Sequence, residues 1–164
     1  MNRTPVGVTL AVLFLALFSL PVFSAQAQSN SSEADSAAIR QVVAGVIDGF
    51  NHHDARAWTA PFLEDGDFTN VTGLTLHGRS KIEERFKGIF ATRLKDAHRS
   101  ATVRHIRFIK PDVAAVDAEW ELVGSTNDDG SARPVRKGIF TWVMVKQDGQ
   151  WKFADFHESE FFAK

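Results

Sequence analysis

An α+β domain, in which a curved antiparallel sheet wraps on three N-terminal helices, is what this sequence predicts, and three observations carry that prediction. Apolar residues recur with the 3.6-residue period of a helix up to about Arg93 and with period two beyond it. Asp148-Gly149 sits between two long apolar runs, the signal of a tight hairpin. The chain has 164 residues, which suits one ordinary domain able to bury its own core.

The first stretch stands apart from that domain. Arg3 is the single charge before the apolar run Val6 to Phe23, and Ser24-Ala25-Gln26-Ala27-Gln28 follows. A basic start, a short apolar core broken at Pro21, and small residues at Ala25 and Ala27 form the pattern of a secretory signal peptide over 1–27. The run before Pro21 is shorter than the roughly 20 residues a membrane-spanning helix needs. The expected location is therefore periplasmic or secreted, with no membrane attachment after cleavage. Polar 28–34 reads as a disordered lead-in and 35–164 as a single domain.

Ile39, Val42, Val43, Val46, Ile47 and Phe50 form one stripe of an amphipathic first helix, which Asn51-His52-His53-Asp54 ends. Asp54 can cap a short second helix whose apolar residues are Trp58, Phe62 and Leu63, disturbed at Pro61. Glu64-Asp65-Gly66-Asp67 reads as a turn before two short strands, Phe68 to Val71 and Leu74 to His77, around Thr72-Gly73. Ser80-Lys81-Ile82-Glu83 has the spacing of a capping box and opens a third helix that buries Ile82, Phe86, Ile89 and Phe90.

Thr102 to Ile109 and Val113 to Val123 follow as strands joined at Lys110-Pro111-Asp112. Their even positions, from Ile106 to Leu122, are apolar, and the odd ones carry charge, which sets His105 opposite Asp117 on a wet face. Val135 to Lys146 and Trp151 to Glu158 form the last hairpin. By alternation Phe140, Trp142, Met144, Trp151 and Phe153 share one face, and Ile139, Thr141, Val143, Val145, Ala154 and Phe156 the other. Both faces are apolar, so helices should cover one and a second subunit the other. The expected partner is another copy of the chain, docked through the face bearing Phe140, Trp142 and Met144.

Composition narrows the chemistry. A formal net charge of -1 gives neither a nucleic-acid nor an anionic-membrane footprint. The absence of Cys removes thiol nucleophiles, disulfides and Cys-bound metals, and the absence of Tyr removes a phenol donor. His52 and His53 are adjacent and point apart, and no paired-ligand spacing occurs elsewhere, so neither a metal nor a cofactor is expected.

Five segments in order resemble the nuclear transport factor 2-like superfamily, the cone-shaped fold of ketosteroid isomerase and SnoaL-like cyclases, and within it the SgcJ/EcaC group. They are Phe50-Asn51-His52-His53-Asp54; Phe62 through Gly73; Gly78 with Ile82; Pro111-Asp112-Val113-Ala114; and Trp151 through His157. The resemblance covers about residues 35–160. It implies a pocket between the helices and the sheet. Where ketosteroid isomerases carry their proton-moving carboxylate this chain has Asn70, which is no general base near neutral pH. Their oxyanion-hole Tyr falls near Val46, their protonated Asp near Thr141, and the group's usual Asn after the final His is Glu158. The resemblance therefore does not imply steroid isomerisation by that route.

The candidate residues follow from that pocket. Asn70 is either a ligand-orienting amide or a cap on the Thr72-Gly73 turn. His77 is a general base or an exposed residue at the start of the third helix. Glu158 is the acid/base carboxylate if the last strand buries it on the face of Thr141 and Phe156, and a solvated residue if the strand frays. Phe50, Trp58, Phe62, Phe90 and Trp120 are core residues that can also line an apolar pocket, and Thr141 would face it. The expected function is binding of a small, largely apolar molecule, with catalysis left open. The alternatives are an assembly module with no catalytic role, and a cofactor-independent hydrolase or dehydratase using Glu158 and a His.

Overall fold

The stripe Ile39, Val43, Val46 and Phe50 buries one face of α1 (Val22–Asn51) in a computed structural model that describes residues 22–161. Most of the segment expected to be a signal peptide, residues 1–21, lies outside the described residues. α1 continues through 28–34, where polar composition predicts a disordered lead-in. Just beyond, Asp35 accepts hydrogen bonds from Lys146 Nζ at 2.6 Å and Trp151 Nε1 at 3.0 Å. Burial pushes its carboxyl up, but those bonds and the Lys146 charge outweigh it, and the net direction is down. No helix among the described residues is long and apolar enough to cross a membrane.

Asp54 caps α2 (Ala55–Thr59) as expected, accepting from the Ala57 amide at 2.9 Å. The helix stops before Pro61. Phe62 instead opens β1 (Phe62–Thr69), so the segment Glu64–Asp67 is strand and not turn. Its partner explains the difference. β1 runs parallel to β6 (Gln150–Glu160), with an irregularity between Phe62 and Asp67, and that long-range pairing leaves no local signal. Gly66 sits at the close approach, where a Cβ would come within 2.9 Å of the Phe153 carbonyl oxygen.

β2 (Thr75–His77) pairs with β1, and α3 (Arg79–Phe90) starts from Gly78 at φ 90° with no side-chain cap. The Ser80–Glu83 capping box does not form, because the helix begins at Arg79 with Gly78 as its N-cap, which puts Ser80 inside the first turn. β3 (His98–Lys110), β4 (Val113–Val123) and β5 (Arg136–Gln147) complete a six-stranded mixed sheet of order β2-β1-β6-β5-β4-β3. Asp148 (φ 52°) and Gly149 (φ 76°) make the primed turn expected between β5 and β6. His105 pairs with Asp117, as alternation requires.

Two register shifts decide which side chains face the helices. In β3 the shift lies between Val103 and His105. Arg99, Ala101 and Val103 face the core on one side of it, and Ile106 and Phe108 on the other. In β6 Ala154 is the extra residue, so the core-facing set passes from Trp151 and Phe153 to Phe156 and Glu158.

Phe156 and Glu158 thereby join the face of Phe140, Trp142 and Met144, and that face is the inward one. Phe140, Trp142 and Met144 are 0, 1 and 0% exposed, packed under the chain's own helices, so they cannot form a subunit contact. The outward face carries Ile139, Thr141, Val143 and Val145. The core is centred on Trp58, stacked on Phe86 at 3.8 Å and in contact with Phe62, Phe68 and Phe156. Each such buried aromatic stabilises the fold by roughly 1.5–3 kcal/mol through area removed from water.

Candidate functional site

Where α3 and the β1–β2 hairpin diverge from the sheet, a cavity of about 120 Å³ opens. Phe68, Leu76, Phe86, Ile89, Leu94 and Leu122 supply its apolar wall. Asn70, Arg99, Ser125 and Glu158 supply polar groups, and Arg85, Arg93, Arg133 and Arg136 also line it.

The deepest polar feature is an ion pair. Arg99 Nη1 lies 2.7 Å from Glu158 Oε1, and the two side chains are only 5 and 8% exposed. The guanidinium also lies over the Phe50 ring at 4.4 Å, with Trp120 and Phe140 at 5.2 and 5.3 Å. Its backbone is clamped by Asn51: the Arg99 amide donates to Asn51 Oδ1 at 2.7 Å, and Asn51 Nδ2 donates to the Arg99 carbonyl at 2.9 Å. Burial pulls the Arg99 guanidinium below its ordinary range, and the charge of Glu158 works against that pull. The contact is short but poorly directed. Arg99 Nε and Nη1, Glu158 Oε1 and the buried Ser125 Oγ are left without a well-aligned hydrogen-bond partner.

Beside this pair Arg136 makes a two-pronged contact with Glu160, Nε to Oε1 at 2.7 Å and Nη2 to Oε2 at 2.5 Å. The hydrogen bonds raise Arg136 and lower Glu160 from their ordinary values. Gly138 lies next to them against the Trp120 ring, where no Cβ fits.

Of the residues singled out by sequence, only Asn70 and Glu158 line the cavity. Asn70 Oδ1 accepts from the Thr72 amide, the Thr72 hydroxyl and the Leu74 amide at 2.8–2.9 Å, so the residue caps its turn while lining the cavity. Glu158 is buried, but beside Phe140 and on the face opposite Thr141, because of the extra residue at Ala154. Thr141 points outward and donates to Asp117 Oδ1 at 3.2 Å. His77 is exposed, its Nδ1 2.9 Å from Asp67 Oδ1. Phe50 and Trp120 form the surface beneath Arg99, Phe90 packs edge-on against Phe50, and Trp58 and Phe62 belong to the core.

None of the six His lines the cavity, and no cluster suited to a metal occurs among the described residues. A Glu158–His pair is therefore not assembled. Sequence reasoning missed Arg99, Ser125 and the other arginines. The usable signal was the change of parity between Val103 and Ile106, and between Phe153 and Phe156, since a strand that switches its apolar positions contains a bulge.

The chain matches no curated protein sequence. Among solved structures it resembles a domain with a cystatin-like fold from Nostoc punctiforme PCC 73102, at 25% identity and TM-score 0.70, covering 79% of each chain. It also resembles the hexachlorocyclohexane dehydrochlorinase LinA-type3 from Novosphingobium barchaimii LL02, at 16% identity and TM-score 0.72, over 82% of this chain and 91% of that one. A ketosteroid isomerase-like protein from Erwinia carotovora atroseptica SCRI1043 aligns at 17% identity and TM-score 0.65, over 77% of this chain and 96% of its own. The last two likenesses establish the fold alone. The model of the SnoaL-like domain family matches residues 32–157, which span most of α1, all of α2 and α3, and the strands to near the end of β6, and the chain belongs to that family.

Proposed function

We propose that this chain is an exported SnoaL-like protein that binds a small molecule in the cavity between α3 and the sheet. The observation that carries the reading is the buried Arg99–Glu158 pair lining an open cavity with unsatisfied polar atoms around it. A buried ion pair is a poor way to gain stability, since well-packed apolar side chains of similar volume do as well or better. Its presence beside a cavity is better accounted for by a ligand. That a structural neighbour is named for acting on hexachlorocyclohexane, a small organic molecule, supports the reading. The geometry favours binding over a reaction that pairs Glu158 with a His. Export is supported by the leader and its Ala25 and Ala27.

Native mass spectrometry of the full chain expressed and recovered from periplasmic extract tests both parts. The expected result is a protein mass beginning at Gln28 with a small-molecule adduct, and loss of the adduct in Leu76→Trp, which fills the cavity from an edge strand. Wild-type protein with no adduct overturns the binding reading. An uncleaved mass overturns export.

A second reading, assembly as a homodimer, is favoured by the outward sheet face, where Val143 is 37% exposed beside half-buried Ile139 and Val145. Light scattering should give twice the chain mass for wild type and a single chain for Val143→Glu. A monomeric wild type would rule this out.

A further inference from the structure

We propose that the cavity selects a small organic anion: a carboxylate carried on a ring-sized apolar body. The inference rests on the binding reading above and names its ligand class. Five arginines line the cavity against a single carboxylate, Glu158, in a chain whose net charge is -1. Arg99 is taken by Glu158, Arg136 by Glu160, and Arg93 lies 3.3 Å from Asp128. Arg85 and Arg133 have no carboxylate within 4 Å among the described residues. Arg85 is exposed and Arg133 half-buried, so the positive excess is local to this cavity and lies at its rim, where it attracts an anion toward the opening.

The second observation is independent of charge counting. Ser125 Oγ, in a residue 3% exposed, and Arg99 Nε are buried without partners. Arg99 Nε is a donor only, and the hydroxyl can donate. An ionised carboxylate accepts through both oxygens and would satisfy them, whereas a neutral apolar ligand would leave both unpaired. The apolar wall argues against a bare inorganic anion. The size is at most that of a single ring, since the cavity, at about 120 Å³, is somewhat smaller than the roughly 150 Å³ that holds benzene, and it opens outward.

Amide chemical-shift titration of the full protein with benzoate, benzamide and inorganic phosphate tests the inference. Benzoate at millimolar concentration should shift the amides of Arg99 and Ser125 and bind at least about tenfold more tightly than its neutral isostere benzamide. Ser125→Ala should weaken benzoate about tenfold while its melting temperature stays the same or rises, because the variant removes an unpartnered buried hydroxyl. Equal affinity for benzamide overturns the anion inference and leaves the binding reading standing. Phosphate binding as well as benzoate overturns the requirement for an apolar body. No binding of any probe also overturns the inference, and the adduct measurement then decides the binding reading separately.

Discussion

Glu158→Ala is expected to destabilise the protein by about 3–5 kcal/mol in urea denaturation, because it leaves a buried guanidinium without its counter-charge. Arg99 is 5% exposed and enclosed by Phe50, Trp120 and Phe140, so water entering from the cavity replaces the lost carboxylate only in part. Its backbone is fixed by Asn51 on both sides, which prevents the strand from swinging the charge outward. Typical domains are stable by only about 5–15 kcal/mol, so the loss is a large share of the total. The double variant Arg99→Met/Glu158→Leu separates pairing from packing. It should recover most of the stability, since both charges go and apolar volume remains. A double variant as unstable as Glu158→Ala would show that the pair is not what the single substitution disturbs.

Trp58→Ala carries an expected loss of similar size, about 3–5 kcal/mol, with a different cause. Trp58 is fully buried and joins α2 to α3 through Phe86, to β1 through Phe62 and Phe68, and to β6 through Phe156. Truncation removes the ring's transfer energy and leaves a void that four aromatic neighbours can only partly close. Trp58→Phe should cost markedly less, because the stack on Phe86 survives. Comparable losses for the two substitutions would mean that the void is not the dominant contribution. Unlike Glu158→Ala, the Trp58→Ala defect should not be repaired by any second substitution at Arg99, since the two sites share no partner among these contacts.

The contrast between these two residues shows how far the sequence could be read. Trp58 is recognisable as core because it is a large aromatic just after the Asp54 cap, although the helical spacing to Phe62 and Leu63 does not hold, since α2 ends at Thr59. A longer helix carries its burial pattern within one turn of its own sequence. Ile39, Val43, Val46 and Phe50 on α1 are legible for that reason, and the Asp148-Gly149 turn is legible because its two residues favour the positive φ that a primed turn needs. Strand β4 contains no register shift, and its alternation from Ala114 to Leu122 was read correctly.

The errors lie where a partner strand overrides local pattern. By local pattern β1 reads as the end of a helix and a turn, because its parallel neighbour, β6, is some 90 residues away in the chain. Simple alternation carried across the extra residue at Ala154 inverts the assignments beyond it and so puts Glu158 with Thr141. Phe140, Trp142 and Met144 lie on β5, which has no extra residue; two apolar hairpin faces suggest a subunit contact there, and only their burial under the helices shows which face is inward. Arg99 stayed invisible for the mirror-image reason in β3, where the shift near Arg104 reverses parity between Val103 and Ile106.

The α+β class, the order of the helices and most strands, the family resemblance and an export leader's pattern are properties of the sequence by itself, because periodicity and turn chemistry are local. Which carboxylate is buried, and which cation meets it, was decided only by tertiary structure. Two single-residue bulges turn Arg99 and Glu158 inward from strands that are not neighbours in the sheet, and β-sheet parity, once shifted by one residue, is set by pairing across the sheet rather than by the residues alongside.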